Sequence, residues 1–307
     1  MELRADFGAV PCVKHESASM YTATLIAQPG RLETSTVVAL RDAWGGSELD
    51  WLSAGEAAEF SLRVVPENQW VVWADLQKLQ IDLVVQPTVG RRKKLLLADM
   101  DSTMIQQECI DELADVAGVG DHVKAITARA MNGELDFNRA LIERVRLLKG
   151  LDAGVIDKVL ATRITLMPGG ASLVSTMKAN GAYAALVSGG FTAFTVAVAG
   201  QLGFDENRAN TLVISDGKLT GDVGVPILGR AAKVHALEEI SKRLGISAQD
   251  VMAVGDGAND LGMLKLAGTG AALHAKPAVA AECSVRLNFC DLSALLFIQG
   301  YGRAAFV

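Results

Sequence analysis

Two aspartates close the run LLLADMDST at residues 95–103, one methionine apart. The apolar residues ahead of them read as a short buried strand, and in extended backbone positions i and i+2 project to the same side. Asp99 and Asp101 therefore leave the strand tip as neighbours. Close carboxylates repel unless a proton or cation intervenes, and a hard, oxygen-seeking ion such as Mg2+ resolves the repulsion. An Asp-rich loop open to solvent would carry the same wording, so the pair by itself does not establish chemistry.

Two further segments share its character. VSGGFT (187–192) follows a second apolar run at 182–187, and VGDGAND (254–260) follows a third at 251–254. Ser188 can donate a hydroxyl, and Gly189 and Gly190 let backbone N–H groups approach an anion. Asp256, Asn259 and Asp260 add oxygen ligands for a cation. Lys233, on an intervening helical stretch, supplies a fixed positive charge; the alternative is a lysine on a helix surface. Its nearest rivals for that role are Lys218 and Lys242, and Lys218 directly follows a turn and reads as a solvated charge. Gly255 and Gly257 do not make a dinucleotide fingerprint, because Asp260 stands where the third glycine belongs. No G-x-x-x-x-G-K-[ST] phosphate loop occurs.

In this order the four elements resemble the haloacid dehalogenase-like phosphatases: D-x-D-x-T, a serine, a lysine, then G-D-G-x-N-D. The wording DMDST, SGGF, K, GDGAND is similar more narrowly to the phosphoserine phosphatase family, over roughly residues 94–294. The resemblance implies that Asp99 is a nucleophile forming an aspartyl-phosphate. It implies that Asp101 is the general acid/base, protonating the leaving alcohol and then deprotonating water. Mg2+ would be held by Asp99, the backbone carbonyl of Asp101 and Asp256, with Asn259 and Asp260 orienting that shell. Ser188, Gly189 and Lys233 would gather the phosphoryl oxygens.

These residues need a scaffold that brings three strand ends together. Apolar strands alternate with helices after residue 94, which predicts a Rossmann-like α/β core with a parallel sheet covered on both faces. Core residues are expected at 89–107 and 168–307. About residues 108–167 hold helical patterns without a comparable strand, and read as an inserted helical cap over the sheet's carboxyl edge. Asp216-Gly217 separates two short runs within 211–223 as a hairpin turn would.

Substrate choice should come from the cap. Arg144 falls in the middle of an apolar stripe of Phe137, Ala140, Leu141 and Leu148, on a helix that Asp136 can cap and Gly150 can end. An arginine there is costly unless it meets an anion, snorkels to water or pairs with a structural acid. Glu108 and Arg144 together suit a substrate bearing an α-ammonium and an α-carboxylate. Both match the substrate-recognising positions of the resembling family, and Met131 and Phe137 match its apolar substrate contacts. Asn259 joins the same substrate set. O-phospho-L-serine is the substrate so implied, and its hydrolysis is the last step of serine biosynthesis.

Residues 1–88 alternate strand-like and helical segments, which suits a small α+β domain. Proteins of the resembling family carry an ACT-like domain here, and this segment could be a diverged copy serving dimerisation or packing. Pro87, Gly90 and the basic cluster 91–94 read as a solvated linker into the catalytic half.

A formal charge of −6 argues against a general nucleic-acid surface. No apolar stretch reaches the roughly 18 residues a spanning helix needs, and the N-terminus has no apolar signal core, so a cytoplasmic enzyme without a membrane partner is expected. Cys12, Cys109, Cys283 and Cys290 form no C-x-x-C pair and read as reduced thiols; His15, His122, His235 and His274 are scattered singly. Two other functions share part of this reading. A phosphotransferase to a small alcohol such as homoserine would use every core residue. A non-catalytic amino-acid sensor would keep the scaffold alone, yet has no need of a nucleophile.

Overall fold

The computed structural model describes residues 20–131 and 134–307, the side chains of Ala130 and Met131 excepted. Cys12, His15 and the Met131 side chain, all named above, lie outside that description.

The catalytic half is built on a six-stranded parallel sheet. Its strands are β5 (Leu95–Ala98), β6 (Tyr183–Phe191), β7 (Glu206–Asn210), β10 (Val251–Gly255), β11 (Thr269–Leu273) and β12 (Val285–Leu287). Their spatial order is β12-β11-β10-β5-β6-β7. Numbered along the chain this is the doubly wound order 3-2-1-4-5-6, whose direction reverses between β5 and β10. That reversal opens a crevice at the carboxyl ends of those two strands, where Asp99 and Asp256 follow.

Sequence reasoning found β5, β6 and β10 because all three are apolar and buried. The other three escaped it for separate reasons. β7 is an edge strand of sequence ENRAN, with no apolar run. β11, TGAAL, is buried but made of small residues because α10 (Leu261–Leu266) packs close; a Cβ at Gly270 would stand 1.9 Å from the Leu264 carbonyl oxygen. β12 has only three residues. Helices α7 (Gly170–Ala179), α8 (Thr192–Leu202), α9 (Arg230–Leu244), α11 (Pro277–Ala280) and α12 (Ala294–Ile298) flank the sheet.

Between β5 and α7 the chain forms four helices: α3 (Cys109–Val116), α4 (Gly120–Met131), α5 (Phe137–Arg146) and α6 (Val155–Thr162). They connect to the core through two adjacent crossings, where Gln106 N donates to Thr165 O and Met167 N to Met104 O, both at 2.9 Å. Asp136 does cap α5, accepting from Arg139 N at 2.9 Å. The helix stops at Arg146, however, short of Gly150. Gly150 instead turns at φ +85° and donates to Leu219 O at 2.8 Å. Leu219 belongs to the hairpin β8 (Leu212–Ser215) and β9 (Lys218–Val223), whose turn is the expected Asp216-Gly217. The hairpin thus packs on the cap, as an extension of it from the core.

The N-terminal segment folds as β1 (Tyr21–Ile26), α1 (Thr34–Trp44), β2 (Asp50–Ser53), β3 (Ala57–Leu62), α2 (Gln69–Lys78) and β4 (Asp82–Pro87). The antiparallel order β2-β3-β1-β4 makes this a ferredoxin-like βαββαβ sheet. Leu25, Phe60 and Leu83 pack with Val37 and Leu76 of its helices on one face. Ile26, Ala57 and Val84 on the other join the apolar cluster of Phe297 and Ile298. The basic cluster 91–94 is solvated only in part: Arg92 and Lys94 are exposed, while Arg91 and Lys93 are half-buried. Arg91 pairs with Glu59 at 2.6 Å, Arg92 stacks on Tyr301 at 4.4 Å, and Lys93 Nζ donates to Gln249 O at 2.8 Å. The Arg91–Glu59 pair ties the entry to β5 to the N-terminal sheet, and the other two contacts hold it against the catalytic half.

Candidate active site

Asp99 leaves β5 with its N–H donated to Val254 O of the neighbouring strand, 3.0 Å away. The side chain is buried. Lys233, four residues into α9, reaches the same point: its Nζ lies 2.6 Å from Asp99 Oδ1 and 2.5 Å from Asp260 Oδ1. The lysine is 2% exposed, so it is not a helix-surface charge. Burial pulls the ammonium pKa down, but Asp260 and Asp99 outweigh that and raise it. It is a permanent cation.

Asp260 folds back against the end of β10, its Oδ2 accepting from Gly257 N at 2.9 Å. Glycine at 255 makes this approach possible, since a Cβ there would stand 2.4 Å from the Asp260 carboxyl carbon. Asp256 accepts from Thr103 Oγ1 at 3.2 Å, which ties the GDGAND loop to the DMDST turn. Burial first, then Asp260, raises the Asp256 carboxyl to about 6. Burial and Asp260 also raise Asp99 well above the usual carboxylate range, with Lys233 opposing.

Oxygen atoms of Asp99, Asp256 and Asp260 all lie within 4.8 Å of one another. Three carboxylates around one ammonium leave an excess of buried negative charge that a small divalent cation would offset. The donors are all hard oxygens, which fits Mg2+ or a similar ion. No described histidine joins the cluster.

Asp101 is held apart from that cluster. Its Oδ1 accepts from Cys109 N at 2.8 Å and its Oδ2 from Ser188 Oγ at 3.2 Å. Burial raises its pKa, which these hydrogen bonds partly oppose. Cys109 touches Asp101, yet burial and that carboxylate push its thiol far up, so it stays protonated and unreactive. Ser102 turns at φ +54° and lets the chain leave the strand tip toward the cap.

Glu108 begins the cap, its Oε1 accepting from Ser102 Oγ at 2.7 Å. Burial, then Asp101, raises its carboxyl to about 7. Arg144 is half-buried on α5, with Nε donating to Ala140 O at 3.3 Å. Burial lowers its pKa, while Asp111 and Glu108 act in the opposite sense. Among the described residues it forms no ion pair. Arg139 and Arg146 of the same helix are exposed.

Phe137 closes the cap onto the core, since a Cβ at Gly189 would stand 2.8 Å from its Cζ. Asn259 lies beside Gly257, its Oδ1 filling the space a side chain there would need. Three residues at the site went unassigned in the sequence. Thr103 stood inside the D-x-D-x-T pattern without a role. Asp111 sits one turn after Glu108, so the i, i+3 spacing could have flagged it. Asn210 carried no signal at all.

The chain matches the haloacid dehalogenase-like hydrolase family over residues 96–265. It is 39% identical over 289 residues to a phosphoserine phosphatase of Streptomyces coelicolor, covering 91% of this chain and 70% of that one. A phosphoserine phosphatase of Archaeoglobus fulgidus is 47% identical over 204 residues, and there the chain spans 59% of the relative's length. The crystal structure of a probable phosphoserine phosphatase from Vibrio cholerae, unliganded, superposes with a TM-score of 0.75 at 33% identity, covering 94% of this chain and 88% of that one. Sequence match and sheet topology agree: the chain belongs to the haloacid dehalogenase-like hydrolases.

Proposed function

We propose that this enzyme hydrolyses O-phospho-L-serine to L-serine and inorganic phosphate, the last step of serine biosynthesis. One observation carries the substrate. Arg144 is a half-buried guanidinium without an ion pair among the described residues, on the same side of the cap as Glu108. Such a cation suits a bidentate carboxylate, and Glu108 suits the adjacent ammonium. Phe137, with Met131, would cover the short apolar part between them.

The chemistry runs through the strand tips. Asp99 Oδ attacks phosphorus as the bond from phosphorus to the serine oxygen breaks. Asp101, whose burial favours a bound proton, gives it to that oxygen. A water then attacks the aspartyl-phosphate, Asp101 takes its proton, and phosphate leaves with Asp99 restored. Ser188, Gly189 and Lys233 hold phosphoryl oxygens throughout. Mg2+ would be held by Asp99, the Asp101 carbonyl and Asp256, with Asn259 and Asp260 behind them, and would offset phosphoryl charge when bound.

The N-terminal domain, assigned to residues 1–88, is in this reading an ACT-like module whose described part packs against the catalytic half. A cytoplasmic setting and a homodimer belong to the same proposal. No helix among the described residues is long and apolar enough to cross a membrane. Steady-state kinetics over a panel of phosphomonoesters test the substrate. Phosphoserine should exceed glycerol phosphate and sugar phosphates in kcat/KM by about a hundredfold or more, the scale of two lost charge-assisted contacts. Equal rates would remove the assignment.

A further inference from the structure

Ser188, Gly189 and Gly190 stand outside the ladder their own strand makes. The β6–β7 register pairs Val187 with Arg208 and resumes only at Phe191 opposite Asn210. Three residues therefore face Ala209 alone, and their peptide groups lose the partners a regular ladder supplies. A bulge at the place where a phosphoryl group would bind must be held by something other than the sheet.

Asn210 provides the hold. It is 2% exposed, and its Nδ2 donates to Gly189 O at 2.9 Å. The peptide joining Gly189 to Gly190 is thereby fixed at both ends, because its N–H donates to Ser188 Oγ at 2.8 Å. With that lone pair engaged, the single Ser188 hydroxyl proton is left for an acceptor, Asp101 Oδ2 in this structure and a phosphoryl oxygen in the proposed complex. A side chain at Gly190 could not fit; its Cβ would stand 2.6 Å from the same oxygen. The Asn210 amide also donates to Leu228 O at 3.1 Å and accepts from Leu228 N at 2.7 Å. Leu228 lies just before α9, which carries Lys233. One side chain thus joins the bulge to the approach of the lysine helix.

We infer that Asn210 is a positioning residue for the phosphoryl site, acting through the Gly189–Gly190 peptide and the Ser188 hydroxyl. This rests on the proposed assignment of Ser188, Gly189 and Lys233 to the phosphoryl group. A residue that only stapled two loops would set stability; a positioning residue sets how well a bare phosphate is held.

Asn210→Asp separates the two, since it is isosteric and keeps an acceptor for Leu228 N–H while losing both donated bonds. In the full-length, Mg2+-supplemented protein, orthophosphate affinity is measured by isothermal titration calorimetry, alongside kcat, L-serine inhibition and thermal unfolding. A folded variant is expected, with orthophosphate Kd raised and kcat lowered about tenfold or more, on the scale of buried hydrogen bonds. L-serine inhibition should stay within about twofold, because the cap contacts are untouched. Combined with Ser188→Ala, the double variant should be no worse than the poorer single one, as expected for coupled groups. Folded Asn210→Asp with kcat and orthophosphate Kd within about twofold of wild type overturns the inference, as do additive effects in the double variant. Loss of folding in both Asn210→Asp and Asn210→Ser assigns Asn210 to stability and overturns it equally. Wild type that binds orthophosphate but ignores phosphoserine sinks the substrate reading alone. Wild type that binds no orthophosphate sinks both.

Discussion

The Lys233 ammonium lies 2.6 Å from Asp99 Oδ1, and its second short contact, to Asp260, anchors it from the end of the neighbouring strand β10. All three side chains are sealed from solvent. The lysine therefore serves stability as well as chemistry: it partly neutralises a buried acidic cluster before any metal or substrate arrives.

Lys233→Met leaves those carboxylates uncompensated. At neutral pH in a chelator, its unfolding free energy should fall by about 3 kcal/mol, the scale of breaking a buried pair from one side. Urea denaturation measures it. The loss should shrink in mild acid, where the carboxylates take up protons instead; an equal loss at both pH values would contradict the electrostatic account.

Asp99→Asn should abolish phosphate release, by about a thousandfold or more, with an unchanged circular dichroism spectrum. The amide keeps the shape and leaves the Lys233–Asp260 pair in place. Substantial turnover in this variant would exclude Asp99 as the nucleophile.

The raised carboxylates set a pH dependence for the metal-free protein. Below the ordinary carboxylate range both folded and unfolded states hold the Asp256 proton. As pH rises, the unfolded chain ionises first while the native group resists up to about 6. Native stability therefore falls across that window, with Asp99 extending it in the same direction. Thermal unfolding in a chelator should give a higher midpoint near pH 5 than near pH 7.5, roughly a few degrees apart. Adding Mg2+ at pH 7.5 should recover the difference and release protons.

Arg144→Lys should raise KM for phosphoserine about tenfold or more, because a point charge replaces a planar fork. Phosphoethanolamine, which lacks the carboxylate, should be affected far less. Glu108→Gln should weaken both of these ammonium-bearing esters and spare glycerol phosphate. Identical penalties across all three esters would mean that neither residue reads the substrate.

Asp82, fully buried on β4, accepts backbone N–H groups from Asn288, Phe289 and Cys290 at 2.9–3.1 Å. Asp82→Ala leaves three buried donors without partners and should cost about 3 kcal/mol of stability. Chemical denaturation checks it, and kcat in the folded fraction should not change.

The motifs were readable because chemistry restricts them to few residue types at fixed spacing. Asp99 and Asp101 at i and i+2, the SGG turn and the GDGAND loop each follow an apolar strand, and the alternation of strands with helices specified a parallel sheet. The helical stripe exposed Arg144 as an apolar-face cation. What sequence could not supply was adjacency. Residues 99–182 separate β5 from β6 and residues 192–250 separate β6 from β10, and only the sheet order places their ends side by side. Lys233 became part of the site because α9 delivers it to a buried point; nothing in its neighbours distinguished it from a surface lysine. Asn210 and Asp82 were invisible for the same reason. A polar residue reveals its purpose through the backbone groups it satisfies, and those come from segments distant in sequence, brought near only by packing.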